Sequence, residues 1–307
     1  MRGRTAMTGA EPDRQAARFA ELRPLLFTVA YEILGSAADA DDVLQDSYLR
    51  WAEVAADDVA DTKSYLAKVV TRQALNALRS RSRRREDYVG PWLPEPILLD
   101  VREPVDDLVL AESVSMAMLI VLESLGPDER AVFVLREVFG FSHDEIGDMV
   151  SKPAATVRQI AHRARSHVEL RRCRFEPADH ARATAVADAF LAAARSGEVE
   201  PLMAMLSPDV VFTADSGGKA TAVRRPVSGA LKVARLLMGF GRLGGTLEDY
   251  RAEIAVFNNE PGLAVYFDGR LQGAFTFHIV DGTIGHIYAM RNPDKLTAVE
   301  RSRSITR

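Results

Sequence analysis

The chain has 307 residues, 47% of them apolar and 27% charged, with a net charge of −4, which suits two or three soluble domains and excludes wholesale disorder. Its longest apolar runs, such as Ala131 to Leu135, are far too short to cross a bilayer, and the opening MRGRTAMTGAEPDR has no apolar secretory segment, so a cytoplasmic protein with no membrane partner is expected. The single cysteine, Cys173, can form no internal disulfide and has no cysteine partner for a metal.

The charges are distributed unevenly. Residues 36–61 carry eight acids against one base, Arg50, whereas residues 72–86 and 154–175 each carry six arginines against one acid. Two basic segments separated by an acidic one suggest two DNA contacts in one chain.

Up to about Glu86, apolar spacing of three and four predicts helices. Leu25, Leu26, Val29, Ala30 and Ile33 form a first stripe, closed by Gly35. Ser36 is the expected N-cap of a second helix whose apolar face is Ala40, Val43, Leu44, Tyr48 and Trp51 and whose other face is acidic. A third helix from about Thr62 buries Tyr65, Leu66, Val69, Val70, Ala74 and Leu78 and ends in the arginine run. The acidic helix repels phosphates, so it is expected to bind a protein surface.

Pro91, Pro94, Pro96 and Pro104 make residues 87–107 a linker, and its Trp92 and Leu93 are large enough to dock on a neighbour. Helical spacing returns from about Asp107, first through Leu110, Val114, Met118, Leu122 and Leu125, then from Val132 to Phe139. Ser142 and Glu145 fit a capping box, and Ser151-Lys152-Pro153 is a turn into a further helix with Val157, Ile160, Ala161, Ala164 and Val168 inside. Thr156, Arg158, Gln159, His162 and Arg163 fall outside that stripe, the helix-turn-helix arrangement that reads a major groove.

After Glu176-Pro177 comes a helix with Ala183, Val186, Ala187, Phe190, Leu191 and Ala194, then Val210-Val211-Phe212, a Gly-rich loop, a helix over about residues 229–239, and strands around 250–290. Asp268-Gly269 and Asp281-Gly282 are turn signals, and Phe275, Phe277 and Ile279 alternate with Thr276, His278 and Val280. The last third is therefore expected to be α+β.

GSAADADDVLQDSYLRW, SYLAKVVTRQALNALRSRSRRR and FGFSHDEIGDMVSKPAATVRQIAHRAR, in that order, resemble the core-binding helix, the −10 reader and the −35 reader of the extracytoplasmic-function sigma factors. YVGPWLPEP, DSGGK at 215–219 and NPDKL at 292–296 resemble the subgroup with a SnoaL-like C-terminal extension. The resemblance implies two all-α sigma domains, a region 2 helical bundle over 16–86 and a region 4 helix-turn-helix over 108–175, joined by the linker 87–107. A cone-shaped α+β SnoaL-like barrel over 181–296 follows. It implies core RNA polymerase and promoter DNA as partners, leaves room for a small-molecule ligand of the C-terminal domain, and calls for neither a cofactor nor a metal.

By the same resemblance Asp39, Asp42, Gln45, Asp46 and Trp51 bind polymerase. Arg72, Gln73, Asn76 and Arg79 lie at the −10 strand, and Thr156, Arg158, Gln159, His162 and Arg163 face the −35 DNA. Trp92, Leu93, Asp215, Gly217, Gly218, Lys219, Asn292, Pro293, Asp294 and Lys295 form a regulatory contact. The family commonly has an acid where Asn76 stands, and its loop motif a third glycine where Ser216 stands. Two other readings are weighed: a dimeric repressor, which needs no acidic helix or second arginine cluster, and a helix-turn-helix regulator fused to a cyclase or isomerase. Asp215, His278, His286 and Tyr288 supply the acid-base groups for such an enzyme.

Overall fold

The computed structural model describes residues 10–54, 59–82, 88–99, 107–171, 180–196 and 199–307. Cys173, Arg83 to Arg85 and Pro104, all invoked from the sequence, lie outside them. The chain divides into two compact units. One combines Met1–Arg83, Leu125–His167 and Ile305–Arg307, and the other Arg84–Ser124 and Val168–Ser304.

The first unit is helical. Helix α1 (Ala10–Leu34) packs on α2 (Ala37–Ala52) and α3 (Thr62–Ser82). Ser36 caps α2 by accepting from the Asp39 N–H at 3.2 Å. The anticipated stripes are buried at Leu26, Val29, Ala30 and Ile33 on α1, Val43, Leu44 and Trp51 on α2, and Leu66, Val70, Ala74 and Leu78 on α3, whereas Tyr48 of the α2 stripe is exposed and Tyr65 and Val69 of the α3 stripe are half-buried. Removing each larger side chain from water contributes about 1.5–3 kcal/mol. In the second unit, α4 (Leu108–Ser113) and α5 (Met116–Glu123) come next in the chain. Back in the helical unit, α6 (Pro127–Phe133) runs into a π-helical turn, Val134–Val138, where the sequence suggested plain helix.

The short helix α7 (His143–Val150) has the expected capping box: the Ser142 hydroxyl accepts from Glu145 N–H at 3.2 Å, and Glu145 accepts from Ser142 N–H at 2.7 Å. Ser151 is left-handed (φ 58), and Lys152 N–H donates to the Gly147 carbonyl at 2.9 Å. A Cβ on Gly147 would lie 2.6 Å from the Lys152 carbonyl, so glycine is what lets this turn close. Helix α8 (Ala154–Glu169) buries Val157, Ile160, Ala161 and Ala164.

The second unit is built on a mixed sheet. After α9 (His180–Ser196) and α10 (Val199–Met205) come β2 (Leu206–Asp215), β3 (Val227–Ser228) and α11 (Ala230–Gly244). The strands β4 (Arg251–Phe257), β5 (Glu260–Phe267), β6 (Arg270–Val280) and β7 (Thr283–Met290) follow, then α12 (Pro293–Leu296) and β8 (Ser302–Arg303). With the linker strand β1 (Leu98–Leu99), the order is β3-β2-β7-β6-β5-β4-β1-β8. Strand β2 runs parallel to β7, and β1 lies antiparallel to β4 and parallel to β8. Asp268-Gly269 and Asp281-Gly282 both have positive φ, the backbone of tight hairpin turns, and Asn258-Asn259 does the same between β4 and β5.

Helices α9 to α11 cover one face of the sheet, where Phe190, Phe212, Val233, Leu237, Phe277 and Ile287 form the core. The other face is also buried, under Leu93, Met116, Leu296 and Val299, which pack on Phe257, Ala264, Tyr288 and Met290. Hence Thr276 and His278, which alternate with the core phenylalanines, are buried as well. These are the two layers of an α+β arrangement.

Candidate functional site

In the helical unit, Asp42, Gln45 and Asp46 stand exposed on α2. Asp39 instead pairs with Arg81, and Trp51 is fully buried with its indole N–H donating to the Gln15 carbonyl at 3.1 Å. Trp51 thus offers no surface to a partner; what it does is hold α2 against α1.

On α3, Asn76 is exposed and Gln73 donates to the Ser47 hydroxyl at 3.2 Å. Arg72 and Arg79 are occupied by the helix-turn-helix. Arg72 donates to the carbonyls of Asp148 at 2.9 Å and Met149 at 3.3 Å, Lys68 lies 3.7 Å from Asp148, and Arg79 pairs with Asp128 at 2.6 Å. Lys152, in the turn, meets the same Asp128 at 3.1 Å. Burial pushes the Asp128 carboxyl up, but the hydrogen bonds from Arg79 and Lys152 outweigh it and hold the pKa below the usual carboxylate range. On α8, Arg158, Gln159, His162 and Arg163 are exposed and Thr156 is half-buried; Arg163 comes within 4.0 Å of Glu129.

The second cluster centres on Asp215, the last residue of β2, which is fully buried. One carboxylate oxygen accepts from Leu93 N–H at 2.9 Å and from the Lys295 ammonium at 2.7 Å; the other accepts from the Tyr88 hydroxyl and from Gly217 N–H at 3.2 Å. Lys295 also donates to the Leu93 carbonyl at 2.7 Å and lies 3.3 Å over the Trp92 ring. A buried ammonium is thereby matched by a carboxylate, a carbonyl and an aromatic face, which together offset its lost hydration. Both main-chain groups of Leu93 are used, so the linker is gripped by its backbone.

Asn292 joins the cluster by donating to the Tyr88 hydroxyl at 2.8 Å, and its side-chain oxygen accepts from Asp294 N–H at 3.1 Å. Burial, then the hydrogen bond to Asp215, push the Tyr88 phenol well above its ordinary range, so it stays a donor at any physiological pH. Gly217 and Gly218 have φ of 57 and 73, and a Cβ on Gly217 would sit 2.6 Å from the Asn292 amide nitrogen. Ser216 is not in that region, which explains why it can replace a glycine. Lys219 and Asp294 form an exposed ion pair beside the cluster, and Pro293 opens α12.

Sequence reasoning missed a third group, carried by the β4–β5 hairpin. The Asn258 side chain accepts from Ile97 N–H at 3.0 Å and donates to the Val114 carbonyl at 2.8 Å, while Glu260 accepts from Met116 N–H at 3.1 Å and meets His278 Nδ1 at 2.7 Å. These side chains hold the linker and the start of α5 by their main-chain groups. The one available signal was the Asn258-Asn259 turn followed directly by an acid. Three of the four residues weighed for acid-base chemistry stand in a row, His278 6.2 Å from His286 and His286 stacked on Tyr288 at 5.7 Å, but His278 is committed to Glu260, and Asp215 lies apart, committed to Lys295.

Comparison with known proteins gives the same reading. Residues 19–84 match the Sigma-70 region 2 family and residues 116–168 the Sigma-70 region 4 family. The ECF RNA polymerase sigma factor SigJ of Mycobacterium tuberculosis is 34% identical over 295 residues, covering 92% of this chain and 93% of its own. The probable ECF RNA polymerase sigma factor SigI of the same organism is 29% identical over 94% of this chain and 96% of its own. The crystal structure of SigJ superposes with a TM-score of 0.72 at 32% identity, over 92% of this chain and 98% of that one. Regions 2 and 4 in order, continued by the sheet domain over 93% of the length of SigJ, place this chain in the extracytoplasmic-function family of RNA polymerase sigma factors, with an α+β sheet domain at its C-terminal end.

Proposed function

We propose that this sigma factor is governed from within its own chain, through the hold of the sheet domain on the linker. As a sigma factor it binds core RNA polymerase and directs initiation at promoters. In this reading the exposed acids Asp42 and Asp46 of α2 meet the polymerase, Asn76 and its neighbours meet the −10 strand, and the exposed face of α8 meets the −35 duplex. The grip of Asp215 and Lys295 on Leu93 is the observation that carries the regulatory part. A fused regulator acts at an effective concentration that reaches the millimolar range, so a contact of modest strength suffices and no separate inhibitor protein is needed.

A second layer of control is proposed inside the helical unit. Arg72 and Arg79 cannot grip DNA while they grip α6 and α7, so this is the closed form, and polymerase binding must open it. The sheet domain acts as a regulator and not as an enzyme, a reading supported by the separate commitments of Asp215 and His278. A cytoplasmic location follows from the polymerase partner; no helix among the described residues is long and apolar enough to cross a membrane.

The test is run-off transcription with core polymerase, comparing the full chain with Lys295→Met, Asp215→Asn and chains cut near Pro177 or before Asn292. Altered transcription in the point variants, in the same direction as in the truncations, is the expected result. Equal activity in all of them overturns the regulatory reading.

A further inference from the structure

Between Asp215 and Glu248 the chain carries Lys219, Arg224, Arg225, Lys232, Arg235 and Arg242 and no acid. All of these bases are exposed. Lys219 pairs with Asp294, but among the described residues the others meet no carboxylate, whereas Arg79, Arg81 and Arg165 of the sigma regions are each paired with one. An unmatched cation keeps its field for a partner.

Helix α11 gives three of these bases a common direction. Val233, Ala234, Leu237 and Met238 face the core, which turns Lys232, Arg235, Gly239 and Arg242 outward as one stripe, since residues three and four apart share a helix face. Nothing lies within 4 Å of the place a Cβ on Gly239 would take, so the stripe is open between Arg235 and Arg242. At 1.5 Å per residue, Lys232 and Arg242 stand about 15 Å apart along the axis, the length taken up by roughly four or five phosphates of one DNA strand. A row of charges of one sign is the complement of a phosphate backbone and a poor match for a protein surface of mixed charge. Exposed Leu231 and Leu243 border the row, so an acidic protein surface with apolar patches is the rival partner.

We propose that this face of the sheet domain grips the phosphate backbone of duplex DNA upstream of the −35 element, without reading its bases. Residues 170–179 join α8 to α9 and at full extension reach roughly 35 Å, about one turn of duplex. The start of the sheet domain is thus tethered within about a turn of the DNA that α8 meets. The upstream placement rests on the −35 role proposed above for α8; the phosphate contact does not.

The probes are two promoter duplexes, one ending at the −35 element and one continued upstream by about 20 bp, two helical turns. Each is titrated at several salt concentrations with holoenzyme made of core polymerase and the full chain. The longer duplex is expected to bind more tightly, whatever the added sequence. In Lys232→Gln/Arg235→Gln/Arg242→Gln the slope of log K against log salt should fall in magnitude by about 2–3 on the longer duplex only, since each phosphate contact contributes about 0.9. The single variants Arg235→Gln and Arg242→Gln, each expected to lower it by about 0.9, carry the test if the triple variant fails to fold. Equal slopes for parent and variants, or a gain that depends on the added sequence, overturns the contact. Weaker binding of core polymerase by the triple variant with the slope unmoved also overturns it and gives the face to a protein. Gln159→Ala separates the two ideas: if it leaves both duplexes bound as before while the triple variant still lowers the slope, the −35 role of α8 fails and the phosphate contact stands.

Discussion

Arg72 donates to the Asp148 carbonyl at 2.9 Å, which joins α3, the helix proposed to read the −10 strand, to α7, the first helix of the helix-turn-helix. Its neighbour along α3, Arg79, is held by Asp128. Asp128→Ala removes the carboxylate that Arg79 and Lys152 share. Exposed ion pairs contribute about 0.2–1 kcal/mol each, so the chain without polymerase should bind a promoter duplex a few-fold more tightly, with a steeper salt dependence. Fluorescence anisotropy at several salt concentrations measures both.

The same pair carries a pH dependence. Because the folded pKa of Asp128 is lowered from 3.8, its contribution is fully present above that value and is lost as the pH falls below it, through the folded pKa. Acid unfolding of the parent and of Asp128→Asn should therefore converge at low pH and separate above about pH 4–5. Identical profiles across the range would remove Asp128 from the closing contact.

Lys295→Met leaves the Asp215 carboxylate buried without its cation, which costs about 3–5 kcal/mol. The double variant Lys295→Met/Asp215→Asn should regain part of that loss. Hydrogen exchange at Leu93 N–H, a direct donor to Asp215, should speed up in the single variant. Unchanged exchange would mean that the linker is held by other groups.

Gly217→Ala forces a side chain into a left-handed position 2.6 Å from the Asn292 amide, a strain of roughly 1–3 kcal/mol. Ser216→Gly, one residue earlier, should change the midpoint of thermal unfolding very little. The two substitutions differ by one position and separate backbone need from mere motif likeness.

On α8, Gln159→Ala should relax −35 base preference by about 1–3 kcal/mol on a randomised promoter library read with core polymerase, with no loss of stability. Ile160→Ala, on the buried side, should instead cost about 2–5 kcal/mol in stability. Swapped phenotypes would reverse the face assigned to DNA.

How much of this was legible beforehand depends on the range of the interactions. The cap at Ser36, the capping box at Ser142 and the hairpins at Asp268 and Asp281 are local devices, encoded within four residues, and they stand where the sequence placed them. Trp51 read as a surface residue only through the family resemblance; its place on the apolar stripe already pointed inward. The linker read as a tether because its prolines forbid helix, yet Ile97-Leu98-Leu99 had the apolar character of a strand with nothing nearby to pair with. Its partners are Phe257 and Ser302, far along the chain, and periodicity within a window cannot see them. Glu260 was hidden for the same reason, and His278 was read only as an acid-base candidate and not as its partner: both faces of their strands are buried, so alternation gave no sign of which side was wet.

The bond between Lys295 and Leu93 spans 202 residues. At synthesis rates of roughly 5–20 residues per second, the linker leaves the ribosome about 10–40 s before the lysine that grips it exists. The sigma regions are complete by residue 168, so in the proposed regulation they exist without that hold for about the last 6–25 s of the interval. In that regulation a chain cut short before Asn292 never acquires the hold on its linker.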